Sequence, residues 1–241
     1  ITGGTGFAGQ YLARHLLAAG ADVHVTTTNS SREGTRGIVH RCDIRDGAAT
    51  AELVRSVQPD EIYHLAGVAR PAADALDAFY DVNVGGARSI LDAAAATAPS
   101  ARILLVGSAY EYAPSEHPIA ESWPIEPRSH YGASKAAAEM IGRAYAADGL
   151  HVVLARPFNH SGPGQPPDFV LPSIVEQVAA AARRGDSEVT LELGNLDPVR
   201  DISDVRDIVA GYVSIVRTGT SGEAYNLGSG VGYSIGEIVA I

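Results

Sequence analysis

Short apolar runs alternate with stretches of helical periodicity as far as Pro157, and this alternation restricts the fold more than any other feature of the chain. Residues 23–27, 38–41, 61–65, 102–106 and 152–155 read as strands. Residues 10–19, 48–57, 72–98 and 131–147 read as helices, and their many alanines are simply good helix formers. A strand–helix–strand repeat joins parallel strands by crossovers, so the pattern predicts an α/β fold with a parallel sheet covered on both faces. Beyond Pro157 the texture changes. Residues 160–172 are rich in Gly and Pro, followed by a helix at 173–184, a short strand at 190–193, a helix at 205–216 and a strand at 224–227. The expected division is residues 1–157 as one domain and 158–241 as a smaller C-terminal α/β lobe, with 202–217 packing back on the first. Ile1 runs straight into glycines, and 234–241 reads as a helix cut midway, so both termini are expected to continue in the native protein.

Gly3-x-x-Gly6-x-x-Gly9 stands just before the first helix, with Phe7 inside it. Glycines there permit a tight turn and let backbone N–H groups approach a pyrophosphate at a helix N-terminus. The stretch Thr26-Thr27-Thr28-Asn29-Ser30-Ser31-Arg32 ends the following strand without a carboxylate. Asn29, Ser30 and Arg32 suit a 2′-phosphate, which favours NADP(H) over NAD, although NAD is also possible. Asp43-Ile44 follows the next strand, where an acceptor can meet an adenine amino group. His64-Leu65-Ala66-Gly67 leaves room beside a cofactor, and Val106-Gly107-Ser108 ends a further strand. In open parallel sheets ligands bind at these carboxyl ends.

The chain contains one lysine, Lys135, against 17 arginines. It lies four residues after Tyr131, on the same helical face. An ammonium beside a phenol is expected to lower the phenol's pKa and ready it for proton exchange.

Composition narrows the setting. Hydrophobic residues make up 46%, enough for a sizeable core, and the net charge of −10 with pI about 5.2 argues against nucleic-acid partners. No apolar run is long enough for a membrane span, and no signal peptide is visible. Cys42 has no internal disulfide partner, so a cytoplasmic protein is expected. No His/Cys cluster has zinc spacing, so no metal is expected.

Gly3/Gly6/Gly9, Asp43-Ile44, Asn83, Ser108 and Tyr131-x-x-x-Lys135 together resemble the extended short-chain dehydrogenase/reductase family, in its nucleotide-sugar branch. The resemblance spans essentially the whole chain. It implies a Rossmann-type doubly wound parallel sheet and a Ser–Tyr–Lys catalytic set. Tyr131 would be the general acid/base, Ser108 would hydrogen-bond the substrate oxygen, and Lys135 would bind the nicotinamide ribose. Asn83 would be a structural or cofactor-side polar group. Val106, Pro157 and Phe158 join the expected cofactor site.

The second half narrows the resemblance. Arg156-Pro157-Phe158-Asn159-His160-Ser161-Gly162-Pro163-Gly164-Gln165 is similar to the GDP-4-dehydro-6-deoxy-mannose reductases, and 194–201 is similar to these and to the GDP-mannose 4,6-dehydratases. By that resemblance Asn159 and Arg200 help hold a sugar-nucleotide diphosphate. A simpler reading of Arg200-Asp201 is a local ion pair. The dehydratases resemble Thr/Ser-x-Glu-x-Tyr near Ser108, but Tyr110 stands at the glutamate position and Glu111 one residue later. Glu111 reaches a substrate only if the backbone turns there. His130 could touch substrate or simply end a loop.

The expected activity is NAD(P)H-dependent reduction of a nucleotide-linked 4-keto-6-deoxyhexose at C4, with GDP-D-rhamnose as product. The alternatives are a nucleotide-sugar 4-epimerase, a 4,6-dehydratase and a non-catalytic NAD(P)-sensing protein. The expected partners are a GDP-linked sugar and a second copy of the chain through the helices at 72–98 and 131–147.

Overall fold

Strands rich in β-branched residues and alanine-rich helices condense here into two sheets, seen in a computed structural model that describes residues 1–28, 35–69 and 76–240. In chain order the elements of the main layer are α1 (Phe7–Ala18), β1 (His24–Thr27), β2 (Ile38–Arg41), α2 (Gly47–Val57), β3 (Glu61–His64), a π-helical turn (Phe79–Gly85), α3 (Gly86–Thr97), β4 (Arg102–Val106), a 3₁₀ turn (Ala109–Glu111), α4 (His130–Ala147) and β5 (His151–Pro157). Then come β6 (Asn159–Ser161), α5 (Val170–Arg184), β7 (Val199–Asp204), α6 (Val205–Thr218), β8 (Ala224–Leu227), β9 (Gly232–Ser234) and α7 (Ile235–Val239).

β3, β4, β5 and β8 pair in parallel in that order, and β1 pairs in parallel with β2. Ile1 and Thr2 join the two groups. Thr26 N–H donates to Ile1 O at 2.9 Å, and Thr2 N–H donates to Tyr63 O at 2.9 Å. Thr2 and His64 form a parallel bridge. The sheet therefore reads β2-β1-(1–2)-β3-β4-β5-β8. Chain order reverses at the two-residue strand, and a crevice opens there beyond the carboxyl ends.

The strands alternate their side chains between two cores, as a period of two demands. Leu104 and Val153 pack with Leu12, Leu16, Ile208 and Tyr212 on one face. Ile103, Leu105, Val152 and Leu154 pack with Val54, Ile90 and Leu91 on the other. α1 and α6 cover the first face, so α6 lies against the large sheet although it follows the lobe's strands. Burying a side chain of this size contributes about 1.5–3 kcal/mol.

The smaller sheet has the order β6-β7-β9, with β6 parallel and β9 antiparallel to β7. Three details depart from the sequence reading. α1 starts at Phe7, immediately after the glycines, rather than at residue 10. The described part of 72–98 is a π-helical turn running into α3, not one continuous α-helix. Residues 190–193 form no strand. There Glu192 N–H donates to Gln177 Oε1 at 2.8 Å and Gln177 Nε2 donates to Glu192 O at 3.2 Å, so a side chain takes the place of a neighbouring strand.

Candidate active site

The glycine turn is built by contact distances. Gly3 has φ of +68°, and a Cβ there would lie 2.8 Å from Ala66 N. A Cβ on Gly9 would lie 2.3 Å from Gly3 O. Gly6 N–H closes the turn on Gly3 O at 2.9 Å, and Gly6 caps α1 without a side-chain hydrogen bond. The first N–H groups of α1 thus have no intrahelical acceptor, which suits an anion. Ala66 N–H donates to Thr2 Oγ1 at 3.2 Å, so Leu65, Ala66 and Gly67 run directly beside the turn. These close approaches fit a dinucleotide laid across the crevice.

Ile44 is buried and fills the space that Gly86 leaves beside it. Asp43 follows β2, with its carboxylate held by Arg45 (Nη2 to Oδ2, 2.6 Å). The hydrogen bonds and charge of Arg45 hold Asp43 below the usual carboxylate range. Asn29, Ser30 and Arg32 lie outside the described residues.

α4 begins with a cap in which Ser129 Oγ accepts Gly132 N–H at 3.1 Å. Tyr131 and Lys135 occupy its first two turns. Lys135 Nζ donates to Val106 O at 2.6 Å, and a Cβ on Gly67 would lie 3.3 Å from the same Nζ. Burial lowers the Lys135 pKa to about 8, with the charge of Glu111 opposing the shift. Asn83, carried by the π-helical turn, accepts Val68 N–H at 2.7 Å and donates to Ser134 Oγ at 2.8 Å. It clamps the chain after β3 to α4. π-Helical turns recur at functional sites.

The expected depression of the Tyr131 pKa does not occur. Burial pushes this phenol above its ordinary range, and hydrogen bonding with Ser108 only partly opposes that. The Lys135 ammonium is directed at a backbone carbonyl rather than at the phenol.

A cleft of about 1180 Å³ opens beyond the strand ends, and Ser108, Tyr131, Pro157, Phe158, Asn159 and Arg200 all line it. Arg200 forms no ion pair with Asp201. Asp201 instead accepts from Ser229 N–H (2.9 Å), Ser229 Oγ–H (2.7 Å) and Gly230 N–H (2.8 Å), clasping the turn between β8 and β9. Arg200 donates to Val199 O at 2.8 Å and pairs with no carboxylate among the described residues. His130 opens α4, lines the cleft and has its Nδ1 2.9 Å from the Tyr80 hydroxyl.

Glu111 requires a correction. It is 0% exposed and does not line the cleft. The 3₁₀ turn folds its side chain back beneath Ser108, so it cannot touch a substrate in the cleft. Behind it Arg156 donates to both oxygens of Glu139, at 2.8 and 2.5 Å, and to the Tyr112 hydroxyl at 2.7 Å. Among the cleft residues that escaped the sequence reading as site residues are His160 and Tyr110. His160 stacks on Phe7 with ring centroids 6.2 Å apart, and the Tyr110 ring meets the Tyr131 ring edge-on at 6.0 Å. The run from Arg156 to Gln165 already contained His160, but only the fold brings it to Phe7.

Among the described residues no group of three His, Cys, Asp or Glu side chains is disposed to hold a metal ion, and no helix is long and apolar enough to cross a membrane.

Comparison with known proteins agrees with this geometry. The family described as the NAD dependent epimerase/dehydratase family matches residues 1–228. GDP-6-deoxy-D-mannose reductase of Pseudomonas aeruginosa is 32% identical over 100% of this chain and 77% of its own. The structure of RMD from Pseudomonas aeruginosa complexed with NADPH superposes with a TM-score of 0.84 at 31% identity, covering 99% of this chain and 78% of that one. The UDP-glucose 4-epimerase of Thermus thermophilus, complexed with NAD, gives a TM-score of 0.86 at 28% identity, covering 99% and 80%.

Proposed function

This chain belongs to the NAD-dependent epimerase/dehydratase family, enzymes of the extended short-chain dehydrogenase/reductase type, and we propose that it reduces the C4 keto group of a nucleotide-linked 4-keto-6-deoxyhexose. One observation carries the reading: Ser108 and Tyr131 open onto one cleft while Glu111, the carboxylate nearest the dehydratase position, is folded away from it. The similarity to the Pseudomonas reductase supports GDP-4-dehydro-6-deoxy-D-mannose as substrate and GDP-D-rhamnose as product.

In this reading residues 1–157 hold the dinucleotide and 158–241 hold the nucleotide sugar. Gly3, Gly6, Phe7 and Gly9 face the pyrophosphate, Asp43 and Ile44 the adenine, and Leu65, Ala66, Gly67, Asn83, Val106, Pro157 and Phe158 line the remainder. Lys135 holds the nicotinamide ribose. When bound, the cofactor supplies a hydride. Tyr131 gives its hydroxyl proton to the sugar oxygen as that oxygen gains negative charge. Ser108 donates a hydrogen bond to the same oxygen as its charge develops. Asn159 and Arg200 hold the diphosphate, which the Arg200 guanidinium on the cleft wall supports, since it meets no carboxylate among the described residues. NADPH is the favoured form, supported by the NADPH in the Pseudomonas structure. Exposed Tyr80 and Met140 support a homodimer through the π-helical turn, α3 and α4.

A panel of GDP-, dTDP-, UDP- and CDP-linked 4-keto-6-deoxy sugars, with NADPH oxidation as readout, tests the assignment. The GDP sugar should react fastest. Tyr131→Phe should remove most turnover and leave nucleotide binding intact, and undiminished turnover would sink the proposal. The similarity to the Thermus epimerase favours a second reading, nucleotide-sugar 4-epimerisation. Purified protein carrying a stoichiometric, non-exchanging nicotinamide would establish that reading instead.

A further inference from the structure

We propose that Glu111 is a positioning residue that acts through Ser108, fixing the angle at which the serine hydroxyl meets the substrate oxygen. The inference rests on the reductase reading above and deepens it. β4 ends at Val106, and the chain turns at once into the 3₁₀ segment. Ser108 N–H donates to Glu111 Oε1 at 2.6 Å, while Tyr110 N–H donates to Ser108 Oγ at 3.2 Å. The serine is therefore held from both sides. Its oxygen accepts from the backbone, and its hydroxyl also hydrogen-bonds with Tyr131, so the proton is kept on the side of the tyrosine.

The carboxyl is confined as tightly as the serine. A Cβ at Gly107 would lie 2.3 Å from Glu111 Oε1, so the glycine makes room for the carboxylate. The other oxygen, Oε2, is buried 3.9 Å from Arg156 Nε, and the carboxyl faces that of Glu139, with which it hydrogen-bonds when one of the two is protonated. The bonds between Ser108 and Glu111 are the two arms of a capping box, which a glutamine serves as well as a glutamate, whereas burying an ionisable carboxyl beside that of Glu139 costs stability.

The decisive link is the periodicity of α4. Tyr131, Lys135 and Glu139 are four residues apart and share one face of the helix. Arg156 ties Glu139 to the same buried pocket as Glu111. The serine turn and the helix bearing the tyrosine are thus referenced to one floor. Burial, together with the neighbouring Glu139 charge, pushes Glu111 above the usual carboxylate range. An acceptor role for Oε1 survives either protonation state.

Four proteins test this: Ser108→Ala, Glu111→Ala, their combination, and Glu111→Gln, which keeps an Oε1 acceptor. With GDP-4-dehydro-6-deoxy-D-mannose and NADPH, Glu111→Ala should lower kcat about a hundredfold with little change in KM, the cost of a small misplacement. The double variant should be no slower than Ser108→Ala, because the two residues act as one. Glu111→Gln should restore most of the rate. Hydrogen exchange at the Ser108 amide should be fast in Glu111→Ala and remain slow in Glu111→Gln. If Glu111→Ala fails to fold, Glu111→Asp replaces it, with a carboxylate one methylene short and the same direction of effect. Normal kcat in Glu111→Ala, losses that multiply in the double variant, or a glutamine variant as slow as the alanine one would each overturn the inference. Normal turnover in Ser108→Ala would instead sink the reading of the site itself.

Discussion

Lysine and arginine are not interchangeable at position 135. Lys135 Nζ sits 2.6 Å from Val106 O and borders both Gly67 and Asn83, a space for a compact ammonium and not for a planar fork. Lys135→Arg should lower kcat about a hundredfold while the protein still folds, as seen by comparing turnover with circular dichroism; a normal rate would show that the lysine has no special role. Tyr131 teaches a different lesson at the same scale. Its spacing from Lys135 was legible in the sequence, but its proton affinity was not, because burial exceeds the helical-neighbour effect. The direction suits a reduction: a phenol kept protonated at neutral pH has a proton to give. Glu111 was misplaced for a related reason. Its path depends on a turn that reverses the side chain, and no strand alternation foretells that.

Among the elements, α4 shows how tightly the site is assembled. A Cβ on Gly132 would lie 2.2 Å from Tyr110 O, a backbone atom that cannot swing aside. In an ordinary helix interior Gly→Ala stabilises by about 1 kcal/mol. Here the sign should reverse, with Gly132→Ala costing about 1–3 kcal/mol through overpacking and slowing turnover by separating Tyr110 from Tyr131. Thermal melts beside steady-state rates check this, and a higher midpoint would refute it. The strands and helices of the large sheet were legible because short apolar runs alternate there with stretches of helical periodicity. β6, β7 and β9 were not, since β6 and β9 have only three residues each and β7 pairs across a long stretch of chain, as in Asn159 with Ile202. Residues 190–193 look like a strand in isolation, and only Gln177 shows why they are not.

Across the whole molecule, Ile1 and Thr2 hold β1 and β3 together, and His64 is buried at this seam with Nδ1 2.9 Å from Thr2 Oγ1. Burial, then the Lys135 charge, holds the His64 pKa down to about 3. The unfolded chain keeps an ordinary value of about 6.5, so between these limits it binds more protons than the folded one. Stability should therefore fall as pH drops below about 6.5. His64→Asn, which can still bond Thr2, should flatten the slope of the melting temperature between about pH 6.5 and 5, above most carboxylate titration. An unchanged slope would show that other groups carry the acid sensitivity. The doubly wound order of the sheet was readable because alternation and the glycine turn both demand it. The packing of α6 beside α1 is also foreshadowed by apolar spacing at 205–216. The single lysine has a practical corollary. Any acylating reagent that consumes a lysine side chain within these 241 residues must do so at Lys135, an amine whose pKa burial lowers to about 8 and which the same burial shields from solvent. Its acylation therefore measures how often the chain opens around the Val106 carbonyl that holds it.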